Sequence, residues 1–593
     1  MFTLKTLTLS ALVFFLYDLC YAQSPENDWR NIKFGNSILA SGYCDQPYVV
    51  IYPDRDWLVV FTTNEGHEGS KGQHIVSSVS KDQGKTWSKP VQIEMPSLES
   101  ASWAMPYLTD YGRVYAFHTY NGDKIHELDG KNIREDIIGW YCYKYSDDKG
   151  KTWSKRYRLD VPVAAVDRMN DWGGDVQILW GIGKPVDVDQ GMMFAFTRVG
   201  RFMLDYSEGW YFRCDNINIE RNIEKLAWKL YPESGHGVKN EKLGLINAEH
   251  NIFQMNDGKI YSMHRTIAGH PAEAYSSDGG KSWTLPEVPE YENGISLKNP
   301  RACPRIWKAQ NGKYLFWYHH NGGWNFDTRN PAWISGGIEK NGEIVWSQPE
   351  ILFYDDDPAT RMSYPDLIEQ DGKYWITETN KSNARCHEIP AEFMNMLWEQ
   401  FEINKPVTKG LIAEWNRETI KTGIKMNANS NTDNNSFSVG FTLDFTIELG
   451  DLTEGQLIYS ANDAAGRSVI LKTGDFGSIE IELNDGKITN KWNSDPGLIT
   501  TYAEHCVTVS VDCRAMIIQF VVDEIVCNGR DFRKFGWGRF EAGMANFSFK
   551  EGSFGKLPEG QFRPEGKVTS FRIYDRPLLN TEIIGNHRHY RKL

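Results

Sequence analysis

Lysine and arginine form no block anywhere in the 593 residues, and the formal net charge is −13. Nucleic-acid binding needs a basic stripe, so that class of function is set aside. Cysteine is scarce, at nine residues, and none stands in the C-x-x-C spacing of a zinc site. Long apolar runs are missing too. The one candidate, Leu7–Tyr17, falls short of the ~20 residues that a membrane span requires. With Lys5 before it and Cys20-Tyr21-Ala22 ahead of Gln23, it reads as a secretory signal over residues 1–22. The expected destination is outside the cell or the periplasm. A lipoprotein signal would use Cys20, but Asp18 and Leu19 fit that cleavage poorly. Export permits disulfides. Buried free thiols are the expected state of Cys44, Cys142, Cys214, Cys303 and Cys386; one pair among Cys506, Cys513 and Cys527 is the alternative.

What is present is a globular composition, 40% hydrophobic and 24% charged, rich in Trp (21) and Tyr (28). At this length two or three units are expected. One motif recurs: Ser80-x-Asp82-x-Gly84-x-Thr86-Trp87, Ser146-x-Asp148-x-Gly150-x-Thr152-Trp153 and Ser276-x-Asp278-x-Gly280-x-Ser282-Trp283, with a worn copy over Glu339–Trp346. The Trp positions are 66, 130 and 63 residues apart, so one copy is lost; Ser207-Glu208-Gly209-Trp210 is its expected place. Asp bonds its own nearby backbone and Gly takes positive φ, which makes a tight turn between strands such as His74–Val79 and Val91–Ile93. A turn-bearing sheet repeated every 60–65 residues predicts a β-propeller of six blades between about Gly42 and Asn404. Pro390 then opens an amphipathic helix with Phe393, Met394, Leu397, Trp398 and Phe401 on one face, expected to cap the barrel end. Glu402–Lys409 reads as a linker.

From Gly410 onward strand alternation appears in Phe437–Leu449, Ser478–Leu483 and Cys506–Val511, followed by Met516–Val522, Val568–Tyr574 and a short helix from Asn580. Many short strands with turn signals predict a β-sandwich, and Asn427–Asn435 a surface loop. The fold class is therefore all-β: a six-bladed propeller over 23–405, then a jelly-roll sandwich over 410–593.

The three full motifs are Asp-boxes, and residues ~35–405 resemble the sialidase (neuraminidase) superfamily. The C-terminal stretches around Cys506–Gly529 and Val568–Ile583 resemble laminin-G-like, concanavalin-type domains. The first resemblance implies that the boxes mark the fold and carry no chemistry. It also implies a glycosidase whose nucleophile is a Tyr activated by a Glu, with a separate acid and an Arg triad for the substrate carboxylate. Carried over by position, Glu249 is the activating Glu, Arg265 and Arg329 are two of the three Arg, Tyr364 is the nucleophile, and Glu378 supports the first Arg. The steps of 16, 64 and 35 residues along Glu249, Arg265, Arg329 and Tyr364 agree with the family's order. Two positions depart from it. Tyr43-Cys44-Asp45-Gln46-Pro47 puts Asp45 where the first Arg belongs, and His74 stands where the Asp acid belongs.

Asp45 and His74 are accordingly the candidates for proton transfer, with Glu68 a further one on the same loop. Arg301, Arg305 and Arg361 are candidates to replace the missing clamp, and His67, Trp103 and Trp324 to line the pocket. The expected activity is exo-acting hydrolysis of a terminal sugar, acidic or neutral, from a glycan or polysaccharide, with poor action on a standard sialoside. The alternatives are a uronate-directed glycosidase or lyase using His74 or His264, and a non-catalytic carbohydrate-binding protein. No cofactor is implied; the acidic loop Tyr354–Asp357 reads as a solvated turn rather than a Ca²⁺ site.

Overall fold

A computed structural model describes residues 27–591 except 41, 204, 327, 421–436, 546, 548, 550–551 and 555–565. The expected signal over residues 1–22 and the expected loop Asn427–Asn435 lie outside the described residues. The chain is nearly all β, with antiparallel pairing in every sheet. Among the described residues no helix is long and apolar enough to cross a membrane.

Six small sheets follow one another between residues 36 and 389. Their first strands are β1 (Tyr43–Ile51), β2 (Ala101–Leu108), β3 (Leu179–Trp180), β4 (Ala248–Gln254), β5 (Arg305–Lys308) and β6 (Ser363–Gln370). A channel of about 720 Å³ is lined from all six sheets, by Val49, Pro106, Asp187, Ile252, Trp307 and Leu367 among others. The first and sixth sheets are joined where the β1 amide of Val49 donates to Asp366 of β6 at 2.8 Å. The sixth sheet is completed by the early segment Asn36–Leu39, which pairs with Ala384–Ile389.

Each Asp-box joins the third strand of its sheet to the fourth, or follows the third. Ser80 Oγ donates to Asp82 at 2.8 Å, and Thr86 N donates to the same carboxylate at 2.9 Å. Gly84 takes φ +79°, and a Cβ there would meet the Trp57 ring at 2.9 Å, so only glycine fits. Box tryptophans pack across sheets: Trp153 donates to Ser77 of the first sheet, and Trp283 stacks on Tyr211 of the third at 4.5 Å. The lost copy is not at Ser207–Trp210, which lies inside the strand Asp205–Cys214. The third sheet's corresponding connection is 215–227, entering the strand Trp228–Tyr231.

Helix α1 (Ala391–Glu399) buries Phe393, Met394, Leu397 and Trp398, as its 3–4 spacing requires. It lies against strands of the fifth and sixth sheets, with Trp398 Nε1 donating to the Tyr314 carbonyl at 2.8 Å. Beyond Gly410, a seven-stranded and a five-stranded sheet share one core, including Phe441, Phe445, Val509 and Phe571 from one and Val469, Leu471 and Ile481 from the other. The expected strands form with ends shifted by a few residues, for example Gly440–Leu449 and Glu504–Asp512.

This second unit is bolted to the first. Helix α2 (Asn580–Tyr590) starts on Glu350 of the fifth sheet, whose carboxylate accepts the amides of Asn580 and Thr581 at 3.0 and 2.7 Å. Burial pushes the Glu350 carboxyl up to about 7 against those bonds. All eight described cysteines are free thiols, so the alternative pairing among Cys506, Cys513 and Cys527 is not formed.

Candidate functional site

Four of the six first strands carry the same irregularity near their start. Pairing slips between Asp45 and Tyr48, Ser102 and Met105, Ala248 and Asn251, and Ser363 and Asp366. In each bulge one residue takes the left-handed conformation: Gln46 (φ 55°), Trp103 (64°), Glu249 (57°) and Tyr364 (45°). Bulges re-aim side chains, and left-handed backbone at a non-glycine residue is costly. Neighbouring sheets hold it in place: Thr62 accepts the Trp103 amide at 2.9 Å and Thr197 accepts the Glu249 amide at 3.1 Å.

Two of these four residues, Glu249 and Tyr364, meet. Tyr364 Oη donates to Glu249 Oε1 at 2.8 Å, and Arg265 Nη1 donates to the same oxygen at 2.9 Å. Both ends of the Glu249–Arg265 pair are buried. Burial first, then the charges of Glu249 and Asp45, push the Tyr364 phenol well above its usual range. Glu249 Oε2 and Arg265 Nε and Nη2 are buried without a partner.

Above the pair lies a pocket of about 160 Å³, at the opposite end of the first strands from the channel cavity. Tyr364, Arg265, Arg329, Arg361 and Glu68 line it, joined by Arg134, Lys381, Trp180 and Phe326. Burial pushes Glu68 up, but Lys381 and Arg134 outweigh it and hold the carboxyl at about 2. Arg134 Nη2 reaches it at 2.8 Å and Lys381 Nζ at 3.5 Å. Asp45 is fully buried behind Lys381, accepting Nζ at 2.6 Å and the Tyr43 hydroxyl at 2.8 Å. Burial raises its carboxyl against the pull of Lys381.

The expected residues thus divide. Glu249, Arg265, Arg329, Tyr364, Glu68, Arg361 and Asp45 come together. Arg301 sits behind Phe326, its guanidinium 4.3 Å from that ring. Arg305 lies below the pair, bonding the Pro365 and Ile182 carbonyls, both at 3.2 Å. Trp103 backs Tyr364, ring to ring at 6.4 Å.

Several expectations need correction. His74 does not line the pocket; its Nδ1 is engaged by the Gly72 carbonyl at 2.9 Å. His67 is an exposed loop residue bonded to Ser70. His264 is buried in a stack with His250 at 4.1 Å, and burial pulls it down to about 3. Glu378 serves Arg385 and His387, at 3.0 and 3.3 Å, and supports no pocket arginine. Trp324 is 75% exposed and outside the lining.

Sequence reasoning missed Lys381, Arg134, Trp180 and Phe326. Lys381 sits in the turn between two strands of the sixth sheet, and Arg134 in a long connection of the second. Neither position carries a motif.

The BNR/Asp-box repeat family matches residues 144–155, the second box. A search of curated proteins finds no match. Among solved structures the chain is similar to Trypanosoma rangeli sialidase in complex with sialic acid, at 13% identity and TM-score 0.43, covering 92% of this chain and 93% of that one. It is also similar to a protein of unknown function from Dyadobacter fermentans, at 14% identity and TM-score 0.43, covering 60% and 95%. The Hadza microbial sialidase Hz136 follows at 15% identity and TM-score 0.42, covering 59% and 67%.

Proposed function

We propose that this pocket is the active site of an exported, exo-acting glycoside hydrolase that removes a terminal sugar from a glycan, on a six-bladed propeller with a C-terminal jelly-roll sandwich. One observation carries the reading: a phenol and a carboxylate 2.8 Å apart on matching bulges, under a pocket walled by guanidinium groups.

Tyr364 is the nucleophile. Its oxygen bonds to the anomeric carbon as the glycosidic C–O bond breaks, and its proton passes to Glu249. Arg265 fixes Glu249 in place with a charge-assisted hydrogen bond. A neutral phenol approaches an anionic sugar without the repulsion a carboxylate nucleophile would meet. The leaving oxygen departs as its anion and takes its proton from solvent. Glu68 serves the incoming water and passes the proton it gains back to solvent. Ionised by Arg134 and Lys381, it is suited to accept the water's proton when the glycosyl–tyrosine is hydrolysed. Tyr364 then recovers its proton from Glu249.

The reading is tested with a panel of 4-methylumbelliferyl glycosides on the full chain. At least one is expected to be turned over, with Tyr364→Phe abolishing release and Glu249→Gln lowering kcat about 10²–10⁴-fold. Silence across the panel, or full activity in both variants, would overturn it.

A further inference from the structure

Glu249 and Tyr364 stand on the first strands of the fourth and sixth sheets, which are not consecutive. The first strand of the fifth sheet, β5, touches both β4 and β6. Its pairing keeps an even register from Arg305 to Lys308, so a regular strand lies between two bulged ones.

Arg305 opens β5, and its guanidinium reaches to both sides. Toward the sixth sheet, Nε donates to the carbonyl of Pro365, the residue after Tyr364, at 3.2 Å, and Nη2 stands 3.8 Å from Asp366 Oδ1. Toward the fourth, Nη1 donates to Asn251 Oδ1. Asn251 Nδ2 extends that link, donating to the Glu249 and Pro304 carbonyls, both at 2.8 Å. Asn251 and Asp366 are the residues at which pairing resumes after each bulge. One side chain therefore holds the exits of both.

The fork is itself held. Nη1 also donates to the Ile182 carbonyl at 3.2 Å, which accepts the Tyr48 hydroxyl at 2.9 Å, and the guanidinium carbon lies 4.7 Å from the centre of the Tyr48 ring. Arg305 is 2% exposed, and the Asp366 carboxylate near it is shared with Lys184 Nζ at 2.8 Å. A planar guanidinium fixes the angles between its donors, as a lysine ammonium would not.

The left-handed backbone at Glu249 and Tyr364 persists only where neighbours over-determine it. We propose that Arg305 is the positioning residue of the Tyr364–Glu249 pair: by bonding across β5 it sets the two bulges at the separation that brings the phenol onto the carboxylate. Its effect on turnover rests on the hydrolase reading; the link between the bulges does not. Arg305 faces the channel cavity below the pair, so it acts without touching the sugar.

The test compares the full chain with Arg305→Lys and Arg305→Ala on a 4-methylumbelliferyl glycoside that the parent hydrolyses. Both variants should lose about 10²-fold in kcat, since a misplacement of about 1 Å costs that much, with KM within about threefold because the pocket lining is intact. Millimolar guanidinium, entering by the channel cavity, should restore part of the kcat of Arg305→Ala, and methylammonium should not. Amide exchange over 248–252 and 363–367 should quicken together in Arg305→Ala, slow again with guanidinium, and stay unchanged in the second unit's core strands. Asn251→Ala, which cuts only the arm to Glu249, should quicken 248–252 alone; with Arg305→Lys it carries the test if Arg305→Ala does not fold. Parental kcat in the Arg305 variants, a loss borne by KM, or parental exchange at both bulges overturns the proposal. Coupled exchange in a chain that turns over no glycoside removes the hydrolase reading instead.

Discussion

Tyr364 and Glu249 are 115 residues apart in sequence and share a hydrogen bond because both occupy the same bulge position in different sheets. Their pairing was expected from the resemblance to the sialidase superfamily, with which their order along the chain agrees. The bulges were not, since Gln, Trp, Glu and Tyr carry no turn signature and the left-handed backbone is imposed by neighbours such as Thr197. Asp45 shows the same division. Its place was readable, but its neutralising partner Lys381 comes from a turn 336 residues later.

Glu68 yields a sharp expectation at this scale. A carboxyl held at about 2 is a poor proton donor at neutral pH but a competent acceptor. Aryl glycosides, whose leaving groups need no proton, should be cleaved much faster than alkyl glycosides. Glu68→Gln should slow the breakdown of the glycosyl–tyrosine, seen as a burst of aryl alcohol followed by a steady rate reduced about 10²-fold or more. A uniform loss for both substrate classes with no burst would contradict this division of labour.

The connection Asn528–Arg539 links the second unit to the pocket. Gly322 N donates to the Lys534 carbonyl at 2.9 Å, Trp537 Nε1 to the His320 carbonyl at 3.0 Å, and Arg539 Nη2 to the Asn330 carbonyl at 2.9 Å. Between those anchors, in the segment 320–330, stand Phe326 and Arg329 of the pocket lining. Asp495 ties the far side down, accepting the Asn528 and Gly529 amides and Arg533. Trp537→Ala in the full chain should speed hydrogen exchange over 319–331 and raise KM more than it lowers kcat, with exchange in the second unit's core strands unchanged. Unaltered exchange at 319–331 would show that the pocket segment stands alone. Elements of this kind are where sequence reading was strongest and weakest. The Asp-box turns and helix α1 declare themselves through local chemistry: Asp and Gly at fixed offset, apolar residues three and four apart. The third sheet's turn does not, and a Ser-Glu-Gly-Trp string inside a strand imitated it.

At the scale of the whole molecule, buried histidines set the response to acid. His264, His319 and His320 are pulled down to about 3 by burial, and His250 well below its usual value. Neutral inside, these groups bind protons in the unfolded chain below about 6.5, so stability falls as pH drops from there toward 3, by about 1.4 kcal/mol per pH unit for each. Glu273 and Glu350, raised to about 7, and Glu369, raised to about 6, act in the opposite sense down to about 4.5 and offset part of that fall. His320→Gln should therefore lose less melting temperature than the parent chain between pH 6.5 and pH 4. The same pH profile in both chains would contradict the assignment.

The strand Asn36–Leu39 finds its partner only in Ala384–Ile389. A growing polypeptide leaving the ribosome therefore carries an unfinished edge from its first structured segment until five sheets have been made and the sixth has nearly emerged. Removing that short segment would strip the sixth sheet of the strand that ties the start of the chain to its last sheet before helix α1, so a truncation of a few residues at this point should do more damage than the loss of an outer strand drawn from within a sheet's own stretch of sequence.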